Sequence, residues 1–282
     1  MNKLTKTTIK KFAAHLNREE KSEATIEKYT RYAQSFLNYL GSTELTKEAV
    51  IKWKKGIADQ YTAAGANGMI SSVNSFLRFI GCPDMCVNKL RTQRVGTLAP
   101  ERNLEYDDLK RLIDTAEQTG CITIARIMGT ILATGIRVSE LPFITFESAV
   151  SGAATVRLKG KTRSVIVPTD LGVCLLAYAA QKGITSGPIF IDKNGKPLNR
   201  RAVWHGMKAL CAEANVQPEA VFPHNLRKLF ARMYYAQGHN LAELAEILGH
   251  SDINTTRRYV ATTSAQIRKN MDSLVKNMGL FA

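Results

Sequence analysis

From Thr5 to Ile80 apolar residues recur at steps of three and four, with breaks at Ser22, Gly41-Ser42, Thr46 and around Ala64 to Asn67, a pattern that predicts four helices. In the second, Ile26, Tyr29, Ala33, Phe36, Leu37 and Leu40 form one apolar stripe with Lys28 and Arg31 off it, and Phe76, Phe79 and Ile80 continue such a stripe in the fourth. A small helical bundle with basic outer faces follows. Periodicity then stops: residues 90–103, LRTQRVGTLAPERN, hold Gly96, Pro100 and three arginines, which reads as an exposed linker and a domain boundary. Beyond it, Glu105 to Glu117 and Ile122 to Thr134 read as helices, the second almost wholly apolar and therefore buried. The alternation in ATVRLK and RSVIVP, separated by Gly160-Lys161-Thr162, predicts a β-hairpin with Val156 and Leu158 inward and Arg157 and Lys159 outward. Thr169 opens a helix through Ala180, Ile189 to Asp192 reads as a short strand before an Asn194-Gly195 turn, and Asn199 caps a helix through Ala214. Trp204 on that last helix reads as core, His205 as surface.

The polar residues with chemical potential gather at predicted helix ends. In residues 223–259, PHNLRKLFARMYYAQGHNLAELAEILGHSDINTTRRY, His224 and Arg227 stand three apart and so share one helix face. Asn240 and Glu243 have capping-box spacing, LAELAEIL follows, and Gly249 is a natural stop with His250 directly behind it. Tyr259 follows the basic pair Arg257 and Arg258. Upstream, Gly135 ends the apolar helix and places Arg137 at the next turn with Glu140 at i+3. Guanidinium groups suit phosphate oxygens, and a tyrosine among cations is a candidate phosphoryl acceptor.

HNLRKLFA followed by LGHSDINTTRRY resembles the C-terminal signature of the tyrosine recombinases, the phage-integrase family, and ATGIRVSEL at 133–141 resembles its first arginine box. The resemblance implies DNA strand cleavage and rejoining at specific sites through a 3′-phosphotyrosine. Arg137 and Arg227 would then bind the phosphate, with Glu140 supporting Arg137. Tyr259 would attack, His224 act as base and His250 hold the phosphate or the tyrosine in line. Lys159 matches the family's hairpin lysine, with Lys161 as competitor. Arg200, Arg201 and Lys208 on the Asn199-capped helix, with Arg257 and Arg258, are candidate phosphate contacts. Two departures stand out: Lys228-Leu229 follows Arg227 where the family often has His-Thr, and Val260-Ala261 follows Tyr259 where Thr-His is common. The implied fold is mainly α with a small β-hairpin. A helical core-DNA-binding domain at 1–91 and a linker at 92–103 precede a mixed α/β catalytic domain at 104–282, which ends in an amphipathic tail expected to dock on its own domain or, in preference, a neighbouring subunit.

Composition adds a partner class. Across 282 residues, 39 Lys and Arg against 24 Asp and Glu give a net charge of +15, with the excess in both halves, which points to a polyanion such as duplex DNA. Five scattered cysteines form neither a disulfide framework nor a zinc site. The basic N-terminus lacks an apolar signal core and no stretch approaches a membrane span, so a cytoplasmic protein is expected. Gly160-Lys161-Thr162 mimics the end of a nucleotide-binding loop, but Thr155 stands where that loop needs glycine. The expected chemistry needs neither cofactor nor metal, because the phosphotyrosine preserves the ester energy and the arginines neutralise its charge. The expected working unit is a homo-oligomer on DNA, a tetramer when two sites are paired. Competing readings are a type IB topoisomerase, which uses similar residues without pairing sites, and a helix-turn-helix regulator built on LAELAEILGHSDINTTRRYV.

Overall fold

The computed structural model describes residues 6–91, 103–158, 160–260 and 272. The chain divides into two compact units, residues 1–94 and 95–282.

The first unit is helical: α1 (Lys6–Arg18), α2 (Glu23–Leu40), α3 (Lys47–Gln60) and α4 (Ala63–Phe79), followed by a 3-10 turn at Pro83–Met85. Its core is the stripe expected from periodicity, with Phe36 and Leu40 of α2 buried against Val50, Trp53, Ile70, Val73 and Leu77, and Ala33 of the same helix buried with Phe12, Leu16 and Phe76. Aromatic rings lock the layers edge to face, Phe12 on Phe76 at 5.3 Å and Phe36 on Trp53 at 5.1 Å. The expected break at Ala64 to Asn67 does not occur. Thr62 caps α4 by accepting a hydrogen bond from the Gly65 amide, so these residues form the first turn of the helix rather than a gap.

The second unit begins with α5 (Tyr106–Gln118) and the buried α6 (Ile122–Thr134). A 3-10 turn at Val138–Phe143 and α7 (Phe146–Ser151) lead into the antiparallel pair β1 (Ala153–Leu158) and β2 (Lys161–Ile166). Next come α8 (Thr169–Gln181), α9 (Arg200–Ala209), a 3-10 turn at Pro218–Ala220, α10 (Pro223–Ala236), α11 (Leu241–Leu248) and α12 (Ile253–Arg257). A continuous core runs from Leu109 and Leu112 through Ile127, Met128 and Ile131 to Val203, Met207, Leu226 and Leu229. The architecture is therefore mainly α with one small sheet.

Four expectations in this unit change, the first being the Asn199-capped helix, which ends at Ala209 and not Ala214. The hairpin turn does not span Gly160-Lys161-Thr162: Leu158 pairs with Lys161, so Lys161 and Thr162 belong to β2, and Gly160 stands just ahead of it at φ +72°. Ile189 to Asp192 does not form a strand; only single bridges, Thr145 to Pro188 and Ile191 to Pro197, stand there, because no neighbour continues the ladder. Trp204 is 39% exposed rather than core, since the helix turns Val203 and Met207 inward instead. Among the described residues no helix is long and apolar enough to cross a membrane.

Candidate active site

Two helix ends make the site. α6 stops at Gly135 and α11 at Gly249, both in the left-handed conformation at φ +62°. Both positions are also crowded: a Cβ at Gly135 would lie 2.5 Å from the Phe230 ring, and one at Gly249 would lie 2.5 Å from Cδ of Arg163. Glycine is thus required twice over at each. Asn240 caps the start of α11 by accepting from the Glu243 amide at 2.7 Å. The reciprocal half of the expected capping box is missing, because the Glu243 carboxylate instead accepts from the Tyr234 hydroxyl at 2.6 Å.

The last carbonyls of α11 have no partner within the helix and carry its partial negative charge. Three arginines converge on them. Arg163 Nη1 donates to the Ile247 carbonyl at 2.6 Å, Arg227 Nη2 to that of Leu248 at 2.5 Å and Arg137 Nη2 to that of Gly249 at 3.5 Å. Arg227, only 1% exposed, also donates through Nη1 to the Gly135 carbonyl at 2.5 Å, so one side chain joins the ends of α6 and α11. Burial and then the Arg137 charge push its pKa down to about 10, which leaves it protonated at neutral pH.

Glu140 is the carboxylate these cations share. Its Oε2 accepts from the Arg137 backbone amide and from Arg163 Nη2, each at 2.7 Å, and its Oε1 accepts from Arg137 Nη1 at 2.9 Å. Burial alone would raise its pKa, but these bonds and the Arg163 charge overcome that and hold it below the usual carboxylate value. Two of the three guanidinium groups bond this one carboxylate and the third, Arg227, bonds none among the described residues, so a phosphate entering the site meets uncompensated positive charge.

Two histidines face the tyrosine. The Tyr259 ring is 5.2 Å from the His224 ring and 5.1 Å from that of His250, edge-on to both. Only 8% exposed, Tyr259 packs with Ala231, Leu244, Leu248 and Val260. A guanidinium can only donate, so the 3.0 Å contact between Arg227 Nη2 and His250 Nε2 makes Nε2 the acceptor. The proton of His250 therefore sits on Nδ1 and is donated to Thr256 Oγ1 at 2.8 Å. Desolvation and then surrounding cations push both imidazoles down to about 4; for His224 the cations begin with Lys228 and Arg227, for His250 with Arg227 and Arg137.

These low values have a consequence for stability. A histidine whose pKa falls from 6.5 unfolded to about 4 folded resists protonation in the native state, so stability is lost as pH drops through that window and is unaffected above it. The DNA-free protein should melt at progressively lower temperature between pH 6.5 and 4.5. Changing both His224 and His250 to Asn should flatten that slope. A slope unchanged in the double variant would assign the acid sensitivity to other groups.

Arg137, Glu140, His224, Arg227, His250 and Tyr259 are thus brought together. Lys159 lies outside the described residues, as does the tail beyond Val260. The charge of Arg200 acts on His224 as the weakest of the cationic influences on it. Arg201, Arg257 and Arg258 are exposed, whereas Lys208 Nζ donates to the Pro218 carbonyl. Inspection of the sequence missed Arg163 and Thr256. Arg163 had a signal, because strand alternation puts it on the same face as the buried Val165 and Val167. Beside the cluster, Arg137, Glu140, Arg163, His250 and Asp252 help line a cleft of about 730 Å³.

A tyrosine held between two imidazoles, beside arginines drawn together by a helix end, is an arrangement suited to in-line attack on a phosphodiester; the class of the chain is that of the tyrosine recombinases. The chain belongs to the phage integrase family, whose profile matches residues 102–266. It is 26% identical over 279 residues to the tyrosine recombinase XerA of Pyrococcus furiosus, across 96% of this chain and 95% of that one. It is 33% identical over 177 residues to XerD of Staphylococcus aureus, across 59% and 57% of the two chains. Its fold is similar to lambda integrase, solved as a tetramer bound to a Holliday junction, with a TM-score of 0.72 and 18% identity over 90% of this chain and 76% of that one.

Proposed function

We propose that the chain is a site-specific recombinase that cleaves and rejoins duplex DNA through a phosphotyrosine at Tyr259. The observation that carries this reading is the placement of the Tyr259 ring between two imidazoles and beside the buried, doubly anchored Arg227. Tyr259 Oη attacks the scissile phosphorus as the bond to the 5′ oxygen breaks, leaving the phosphate on the enzyme and a free 5′ hydroxyl. Arg137 and Arg227 stabilise the charge that builds on the non-bridging oxygens. His224 receives the phenol proton, because it has no hydrogen bond to other described groups, whereas both nitrogens of His250 are engaged. A phosphate beside His224 raises its basicity towards the ordinary imidazole range. His250 must exchange its Arg227 contact before it can bond the phosphate. The hairpin lysine, Lys159 with Lys161 as competitor, protonates the departing oxygen. A 5′ hydroxyl from another strand then reverses the step, so no energy source is consumed.

The other assignments rest on charge, position and kinship. Residues 1–91 form the core-DNA-binding domain, joined by 92–103 to the catalytic domain at 104–282. Arg200, Arg201, Lys208, Arg257 and Arg258 contact the DNA backbone. The tail docks on a neighbouring protomer within a tetramer that pairs two sites, and the protein works in the cytoplasm. Pairing of sites separates this reading from a relaxing topoisomerase.

A nicked duplex that sheds a short 5′-hydroxyl fragment on cleavage tests the chemistry. In the absence of added metal or nucleotide, the protein should become covalently joined to the 3′ phosphate, and peptide mapping should put the adduct on Tyr259. An adduct on any other residue, or none with a cognate site, would overturn the reading.

A further inference from the structure

The strand β2 sends one cation into an apolar layer. Arg163 lies on the face that Val165 and Val167 bury, and its side chain is 16% exposed. It threads past Gly249, where the absence of a Cβ leaves room for Cδ. Its two terminal nitrogens each donate in a different direction, Nη1 to the last turn of α11 and Nη2 to Glu140, while Nε is buried without a hydrogen-bond partner among the described residues. A guanidinium held this way fixes two acceptors at a set spacing and angle, which an ammonium cannot do.

The positions so joined are informative. Arg163 pairs with Val156 across the hairpin and is the third residue of β2, two positions after the Leu158–Lys161 pair that closes the ladder. Glu140 holds Arg137, and the end of α11 leads directly to His250. Arg163 is therefore the bond between the hairpin and the floor on which the phosphate would sit. Without it, the described hydrogen bonds leave β2 with no polar tie to either Glu140 or α11.

We propose that Arg163 is a positioning residue for leaving-group departure: by tying β2 to Glu140 and to the end of α11, it sets where the hairpin turn meets the 5′ oxygen. The proposal rests on the strand-cleavage reading above and adds a residue that touches none of the reacting atoms. A role confined to holding the fold together would slow all substrates alike. A role in placing the general acid shows only when the leaving group needs a proton. An oxygen leaving group does, whereas a sulfur at the same bridging position departs as a thiolate without one.

The test compares cleavage rates at saturating protein on two nicked substrates, one with the natural 5′ bridging oxygen and one with sulfur there. With oxygen, Arg163→Met should cleave about 10- to 100-fold more slowly than the unaltered protein, part of the 10²–10⁴ that a positioned general acid supplies. With sulfur the difference should shrink to about threefold or less. Arg163→Lys keeps the charge and reaches only one of the two acceptors, so it should show a smaller loss with the same recovery; it also serves if Arg163→Met does not fold. Equal slowing on both substrates, or no slowing on either, overturns the proposal. If the unaltered protein forms no adduct, the failure belongs to the strand-cleavage reading instead.

Discussion

Replacing Tyr259 by phenylalanine should abolish the covalent DNA adduct while leaving DNA affinity and melting temperature nearly unchanged. The substitution removes a single oxygen, and no hydrogen bond from that oxygen to the described groups is lost with it. What remains is the ring, which makes the packing: it fills the pocket formed by Ala231, Leu244, Leu248 and Val260 and meets the edges of both histidines. A phenylalanine ring keeps that burial, so the stability change should stay within about 0.5 kcal/mol, as for substitutions that break no buried contact. The chemical effect is of another order. Removal of a nucleophile that acts as a unit with its neighbours lowers turnover by about 10⁴- to 10⁶-fold. Gel electrophoresis of the nicked-substrate reaction, alongside a binding isotherm, reads both quantities. Survival of the adduct at more than a trace would show that another residue attacks and that Tyr259 only fills space.

Much of this arrangement is local, and local arrangement is legible in a sequence. α6 has the bounds its apolar run predicts, Ile122–Thr134, because a stretch with no polar face must be buried and a glycine must end it. Asn199, Asn240 and Gly249 mark helix ends for equally local reasons. Spacing alone also placed His224 and Arg227 on one helix, although it could not tell that Arg227 is buried while His224 is exposed. That difference depends on the Gly135 and Leu248 carbonyls, which lie 92 and 21 residues away in the chain. Arg163 escaped for the same reason, since its acceptors at Ile247 and Glu140 are distant in sequence and only the strand alternation hinted at an inward side chain. Thr256 looked like an ordinary helix residue until folding set it against Nδ1 of His250. The misread elements fall where sequence gives equal support to two structures. Ala64 to Asn67 has the composition of a break and the capping of a helix start, and Ile189 to Asp192 has strand propensity without a neighbouring strand to pair with.

Loss of Arg227 should cost on both scales, stability and rate. Arg227→Ala strips a partner from the Gly135 carbonyl, the Leu248 carbonyl and His250 Nε2 at once. Each buried polar group left unsatisfied costs about 1–3 kcal/mol, partly offset because the unfavourable burial of a guanidinium ends as well. A net loss of about 2–5 kcal/mol follows, enough to lower the melting temperature by several degrees or more. The same change removes a preorganised cation from the phosphate site, worth about 10²–10³ in cleavage rate for a single oxyanion donor. Arg227→Lys separates the two contributions. Its ammonium keeps a charge at the site but cannot span the ends of α6 and α11 as the fork of Arg227 does. Cleavage by the lysine variant should therefore remain depressed by about 10²-fold, even under conditions where circular dichroism shows it folded. Full activity in a folded Arg227→Lys protein would mean that charge alone suffices there, and that the bridge between the two helix ends serves the fold but not the chemistry.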